Sequence, residues 1–236
     1  MTASVGARHD LRLALGRARL RLRARGRVEP GRPLRAVRDV RERVVALSFD
    51  DGPSPANTPP LLDMLASRNA RATFFVVGSL VEQELELAAR IANEGHEIGN
   101  HSYSHANPLD LSDPELEGEI VRADAAIRRV APSPRTFRPP YGKKARSSAR
   151  ISASHGMLTA LWSIDSGDTR GLSADGICGA VVDRVRPGDI VLLHDGGQLR
   201  PATLEAAPRI LDGLTRRGYE FVTISELLVR AGIELP

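Results

Sequence analysis

Five short polar clusters in this 236-residue chain could carry hydrolytic chemistry. They are Asp50-Asp51-Gly52-Pro53, His101-Ser102-Tyr103-Ser104-His105, Arg138-Pro139-Pro140-Tyr141-Gly142, Asp165 with Asp168, and His194-Asp195. Two histidines four apart can face one way on a helical turn and grip a single metal ion, so His101 and His105 are candidate ligands. Asp51 would complete a two-histidine, one-carboxylate set with an open position, which zinc occupies most commonly. Asp50 and Asp51 are neighbours, and on an extended strand end their side chains would point in opposite directions. One could then ligate metal while the other faces an activated water as a base. Two ionised carboxylates in one enclosed site repel each other, and Arg138 is the natural cation to relieve the second. His194 could act as a general acid, with Asp168 or Asp165 holding its tautomer and raising its pKa. Three of the clusters also have a plain reading: a turn for Asp50–Pro53, solvated histidines for His101 and His105, a satisfied core histidine for His194.

Such residues need a scaffold that brings them together. From Arg43 onward, short apolar runs alternate with amphipathic stretches. Strands are expected at Val44–Phe49, Ala72–Val77, Glu97–Gly99, Thr136–Arg138, Leu158–Ile164, Asp189–Leu193 and Glu220–Ile224. They are short and partly β-branched, as buried parallel strands are. Helices are expected at Thr58–Ser67, Leu80–Asn93, Asp113–Val130, Lys143–Ser154, Ser173–Val185, Ala202–Arg217 and Ser225–Arg230. Prolines 53, 108, 139, 140 and 187 fall in the connections, where they cost nothing. Regular strand–helix alternation predicts a parallel α/β architecture, barrel or open sheet. Reactive groups in such folds sit at the C-terminal ends of the strands, and all five clusters follow an apolar run directly.

Composition narrows the class. The net charge is +4 and the pI near 9.8, which invites a nucleic-acid reading. Residues 1–43 hold thirteen arginines against four acids and net +9, so the remainder nets −5. The basicity belongs to an arm over residues 1–42, ahead of a catalytic domain over 43–236. Leu11, Leu15 and Leu22 could share one helical face of that arm, giving weak contact with an anionic surface through residues 8–43; a solvated arm is the plainer reading. No specific nucleic-acid binding is expected. The single cysteine, Cys178, rules out an intrachain disulfide and a cysteine-rich zinc site. No apolar run approaches a membrane span, and arginines interrupt the N-terminus where a signal peptide needs its apolar stretch. The chain as written is therefore expected in the cytoplasm, or secreted if its start is misassigned.

Taken in order, the clusters resemble the NodB-type polysaccharide deacetylases, carbohydrate esterase family four. Ser48-Phe49-Asp50-Asp51-Gly52-Pro53 is similar to that family's first motif. Asn100–His105 is similar to the second, Phe137–Gly142 to the third and Leu192-Leu193-His194 to the fifth. Thr73–Gly78 matches a common strand-two segment. The resemblance spans about residues 43–229 and implies a single-domain, distorted (β/α)7 barrel that removes N-acetyl groups from amino sugars. It implies that Asp51, His101 and His105 bind a divalent metal, zinc first, with cobalt, nickel or manganese as alternatives. It makes Asp50 the base steadied by Arg138, and His194 the acid backed by Asp168. The Tyr141 backbone N–H would hold the oxyanion, and Leu192 would line the acetyl pocket. One departure stands out. Where the family usually carries a tryptophan after its second acidic residue, this chain has Thr169, and its single tryptophan, Trp162, precedes the pair. Lys143 and Lys144, the only lysines, could favour an anionic substrate or simply start a helix.

Four functions follow for testing. The first is deacetylation of an amino sugar or glycan. The second is an intracellular amidohydrolase acting on an N-acylated metabolite or cyclic amide by the same mechanism, which activity on such compounds but not on glycans would favour. The third is glycan or lipid-surface binding without turnover. The fourth is salt-dependent nucleic-acid retention through the arm, which deletion of residues 1–40 would abolish.

Overall fold

The computed structural model describes residues 31–233; residues 1–30 of the basic arm, with Leu11, Leu15 and Leu22, lie outside them. The strands are β1 (Val44–Gly52), β2 (Thr73–Val76), β3 (Glu97–Asn100), β4 (Thr136–Phe137), β5 (Leu158–Thr159), β6 (Ile164–Asp165), β7 (Ile190–His194) and β8 (Glu220–Phe221). Seven form one parallel sheet in the order β5-β4-β3-β2-β1-β7-β6, and β8 pairs with the start of β1. The helices are α1 (Thr58–Ala66), α2 (Gly78–Gln83), α3 (Leu85–Asn93), α4 (Asp113–Ile127), α5 (Ala145–Ser154), α6 (Ala174–Val182), α7 (Pro201–Arg216) and α8 (Ile224–Arg230). Strands five and six are consecutive in the chain yet occupy opposite edges of the sheet. The structure is thus the expected distorted (β/α)7 barrel in a single domain, with its seam between β5 and β6. Among the described residues no helix is long and apolar enough to cross a membrane.

The period-two alternation of a strand explains both the core and the position of the chemistry. Along β1, Val45, Leu47 and Phe49 face outward and pack with Leu62 of α1, Ile177 of α6 and Leu211 of α7. The inward positions read Val44, Ala46, Ser48 and Asp50, apolar at the base and polar at the mouth. The lower two join Phe75, Ile190 and Leu227 in the barrel interior. Strand β7 repeats the pattern, with Ile190 at the base and His194 opposite Asp50 in register.

Two expected elements are divided. The run Leu158–Ile164, read as one strand, is two. The chain between them leaves the ladder because the carbonyls of Ala160 and Leu161 accept from the Arg138 guanidinium, at 2.9 and 3.1 Å. Residues ahead of β1 lie under the seam: Leu34 donates to the Thr159 carbonyl, Val37 to that of Gly188, and Arg38 pairs with the buried Asp189 at 2.7 Å. The run Leu80–Asn93, read as one helix, breaks at Glu84 (φ −124°, ψ 50°). The first part packs on α4 and the second on α1 and β3, partners that one straight helix does not serve.

At the base of the barrel the Glu97 carboxylate accepts four hydrogen bonds. The donors are the hydroxyls of Thr73, Thr136 and Ser225 and the Ser225 backbone N–H, all at 2.8–2.9 Å. These ties join β2, β3, β4 and the start of α8. Glu97→Ala strands the four donors and is expected to cost about 2–3 kcal/mol of stability in a urea titration, with the site at the opposite end of the barrel intact. An unchanged unfolding midpoint would contradict this reading.

Candidate active site

Arg138 is the axis of the site. It is fully buried, and a buried guanidinium is tolerated only when its donors are met. Its Nη1 donates to Asp50 Oδ1 at 2.6 Å and to Ser48 Oγ at 2.9 Å, while Nε and Nη2 take the seam carbonyls. The guanidinium lies 3.9 Å from the Phe75 ring centroid, a cation–π contact. A Cβ at Gly99 would come within 2.5 Å of that same ring, so glycine there makes room for the platform beneath the arginine. Burial pulls the Arg138 pKa down, against the opposing charge of Asp50.

Asp50 and Asp51 do not diverge as an extended strand end would require. The register of β1 against β2 shifts between Asp50 and Gly52, and Asp51 is left-handed at φ 73°. A non-glycine residue there costs about 1–2 kcal/mol. The bulge turns both carboxylates into one space: His101 Nε2 is 3.3 Å from Asp51 Oδ1 and 3.8 Å from Asp50 Oδ2. His105 Nε2 lies 3.0 Å from Asp51 Oδ1.

The histidines also reach the site by a route other than the expected helical turn. The chain after β3 is a loop with Ser102 at φ 65° and His105 at φ 58°. Asn100 folds it back by accepting from Ser102 N–H at 2.9 Å and donating to the Ile120 carbonyl of α4. Glu119, also on α4, accepts from Tyr103 N–H, Ser104 N–H and the Ser104 hydroxyl at 2.7–3.0 Å. His101 Nδ1 stands 2.7 Å from the Arg138 carbonyl. A carbonyl only accepts, so Nδ1 carries the proton and Nε2 presents its lone pair.

One ligand atom each from Asp51, His101 and His105 lies within 4.8 Å of the others. An imidazole lone pair and a carboxylate oxygen facing each other are both acceptors, and a shared cation satisfies them. The donor set of one carboxylate and two imidazoles suits a divalent metal of the zinc type.

On β7, His194 Nδ1 is 2.8 Å from Asp168 Oδ1, and the His194 backbone N–H donates to Asp168 Oδ2 at 2.8 Å. Thr203 of α7 donates to the same Oδ2. Burial would lower the His194 pKa, yet the hydrogen bond and charge of Asp168, with Asp50 and Asp51 behind it, raise it above the ordinary value. The structure therefore separates the two acids of the fourth cluster. Asp168 backs the histidine, whereas Asp165 caps the Gly167 N–H and pairs with Arg170 at 3.1 Å.

The remaining sequence candidates sit around this centre. Tyr141 is left-handed (φ 60°, ψ 7°), 59% exposed, and sets its ring edge against His105 at 4.9 Å. Leu192 is buried on β7 beside Ser48. Trp162 packs on Gly142 and near Arg138, against the third motif. Lys144 is tied to the Leu111 carbonyl and Asp113, while the Lys143 ammonium lies 5.5 Å from the Tyr141 ring. Scanning for polar residues after each strand missed Glu119, which lies in the middle of α4, and Thr203, in the first turn of α7. It also missed Arg200, whose guanidinium stands 3.9 Å from Asp51 Oδ2; its place just beyond the His194-Asp195-Gly196-Gly197 turn was the available signal.

Known proteins resemble this chain in sequence and fold. The polysaccharide deacetylase family matches residues 37–160. A peptidoglycan-N-acetylglucosamine deacetylase of Bacillus cereus is 40% identical over 189 residues, covering 79% of this chain and 89% of the relative. A chitooligosaccharide deacetylase of a Bradyrhizobium species is 38% identical over 198 residues, covering 78% and 90%. The crystal structure of a peptidoglycan N-acetylglucosamine deacetylase bound to an N-oxidanyl-benzamide superposes with a TM-score of 0.77 at 34% identity, over 83% of this chain and 92% of that one. With motifs, barrel and sequence in agreement along most of its length, the chain belongs to the polysaccharide deacetylase family, carbohydrate esterase family four.

Proposed function

We propose that this enzyme is a metal-dependent hydrolase that removes N-acetyl groups from amino-sugar residues of a glycan. The observation that carries the reading is the convergence of Asp51, His101 and His105 beside the Asp50–Arg138 pair, with His194 on the adjoining strand. Glycans named for the similar proteins, peptidoglycan and chitooligosaccharide, support a carbohydrate over an N-acylated metabolite.

Asp51, His101 and His105 would hold the ion, zinc by preference and cobalt, nickel or manganese as alternatives. When bound, it supplies Lewis-acid polarisation of the amide carbonyl and a more acidic water. Asp50 takes the proton from the attacking water, and Arg138 fixes its carboxylate in place. The Tyr141 backbone N–H donates to the developing oxyanion, an interaction typically worth several kcal/mol. An amine leaves poorly unless protonated. His194 binds Asp168 through Nδ1, so Nε2 carries the proton that the departing nitrogen receives. Leu192 offers an apolar wall for the acetyl methyl group.

The test is acetate release from N-acetylglucosamine oligomers and from peptidoglycan fragments after loading with zinc or cobalt. Release that chelation abolishes and metal restores is expected. Release no greater than that of Asp50→Asn across both substrates would overturn the reading.

A further inference from the structure

The roles above leave Asp195 unused, although it follows His194 directly. Its side chain is fully buried. Thr58 Oγ donates to Asp195 Oδ2 at 2.5 Å, while Oδ1 has no partner among the described residues. A buried carboxylate with an empty acceptor is a poor device for stability alone. What surrounds it is the bulge of β1. The backbone N–H groups of Asp195 and Gly196 both donate to the Asp50 carbonyl, at 3.0 and 3.2 Å. A Cβ on Gly52 would meet the Asp195 carboxylate at 2.4 Å, and one on Gly196 would meet the Asp51 carbonyl oxygen at 1.7 Å. Thr58 has no freedom to release the group, because its Oγ also accepts the Ser54 N–H at 2.8 Å.

These contacts bear on the left-handed Asp51. A residue held in a sparsely populated conformation persists only where its surroundings over-determine it. The carboxylate of Asp195 fills the space against Gly52, on one flank of that residue, and the Gly196 backbone closes on its carbonyl. The first helix, through Thr58, locks the wedge.

We propose that Asp195 is a positioning residue for the Asp50–Asp51 pair: its carboxylate, locked by Thr58, wedges against Gly52 and keeps the bulge that aims Asp51 at His101 and His105. The proposal rests on the metal-site reading and is independent of which glycan is cleaved. It is a claim of shape, so the isosteric amide should serve almost as well as the acid.

Zinc affinity, measured by competition with a chromophoric chelator, tests this without any substrate. The comparison includes the wild type, Asp195→Asn, Asp195→Ala and Thr58→Val, each with its thermal midpoint. Asp195→Asn is expected to bind zinc within about threefold of wild type. Asp195→Ala is expected to lose about 10–100-fold, the range seen when residues supporting metal ligands are removed. Thr58→Val leaves the carboxylate unlocked and is expected to lose affinity in the same direction by a smaller factor. At saturating zinc, Asp195→Ala should lower kcat more than it raises KM, because Asp50 is displaced along with Asp51. Wild-type zinc affinity in both Asp195→Ala and Thr58→Val would overturn the proposal. So would an Asp195→Asn variant as defective as Asp195→Ala, since charge rather than shape would then be the cause. If Asp195→Ala does not fold, Thr58→Val and Asp195→Asn decide the matter alone. Should the wild type bind zinc but release no acetate, the function proposed above fails and the zinc series still stands.

Discussion

Asp50→Asn is expected to lower kcat/KM on an N-acetylated glycan by about 10²–10⁴-fold, the usual contribution of a positioned general base. The substitution isolates the proton transfer. An asparagine keeps an oxygen for the Arg138 Nη1 now 2.6 Å from Asp50 Oδ1, and the seam carbonyls still hold the other guanidinium nitrogens. What is lost is basicity together with the counter-charge of a fully buried arginine. The protein should therefore remain folded but become less stable, because Arg138 then lacks its anion. Zinc affinity should change far less than activity, since Asp51, His101 and His105 are untouched. Steady-state kinetics at saturating zinc, paired with the chelator competition, reads both quantities. A variant that keeps a tenth or more of wild-type kcat/KM would remove Asp50 as the base. One that loses zinc and activity in parallel would make it a ligand instead.

Asp168→Asn is expected to shift the alkaline limb of the pH–rate profile to lower pH and to cut the rate at pH 8 by about 100-fold or more. The sign follows from the direction of the shift. As the acid, His194 works only while it carries its second proton, so the limb falls as pH rises through the raised pKa of the folded protein. Burial pulls that pKa down, and the Asp168 hydrogen bond and charge, with Asp50 and Asp51, push it up past the ordinary value of 6.5. Replacing Asp168 leaves burial less opposed, so the protonated fraction at pH 8 drops. Asparagine can also present its amide nitrogen to Nδ1, which must then accept, and this further disfavours the doubly protonated imidazolium. His194→Ala should abolish the limb with no effect on zinc affinity. An alkaline limb at the same pH in Asp168→Asn and wild type would separate His194 from the acid step.

Much of this was legible along the chain because it depends on local pattern. Buried parallel strands write themselves as short apolar runs, and the residue after each run stands at the mouth of the barrel. That rule alone collected Asp50, Asp51, His101, His105, Arg138, Tyr141, Asp168 and His194. The breaks came where a distant group took over backbone hydrogen bonds. Nothing local in Leu158–Ile164 announces two strands; the division exists because Arg138, 22 and 23 residues earlier, claims the carbonyls of Ala160 and Leu161. Likewise, the spacing of His101 and His105 suggested a helical turn, whereas Glu119 and Asn100 hold them on a left-handed loop. Local pattern left Asp165 and Asp168 both open behind His194, since both follow the same expected strand; the family resemblance pointed to Asp168, which lies 2.8 Å from His194 Nδ1.

The sequence by itself determined the family, the alternation of strands and helices, and the residue types available for chemistry. These follow from periodicity and from motifs whose members lie a few positions apart. Only the tertiary structure decided how the two aspartates share one site and what holds the bulge at the end of β1. Each of those depends on contacts between residues far apart in the chain, such as Thr58 with Asp195 and Ser48 with Arg138, and on burial that makes every unmet donor or charge costly enough to dictate geometry.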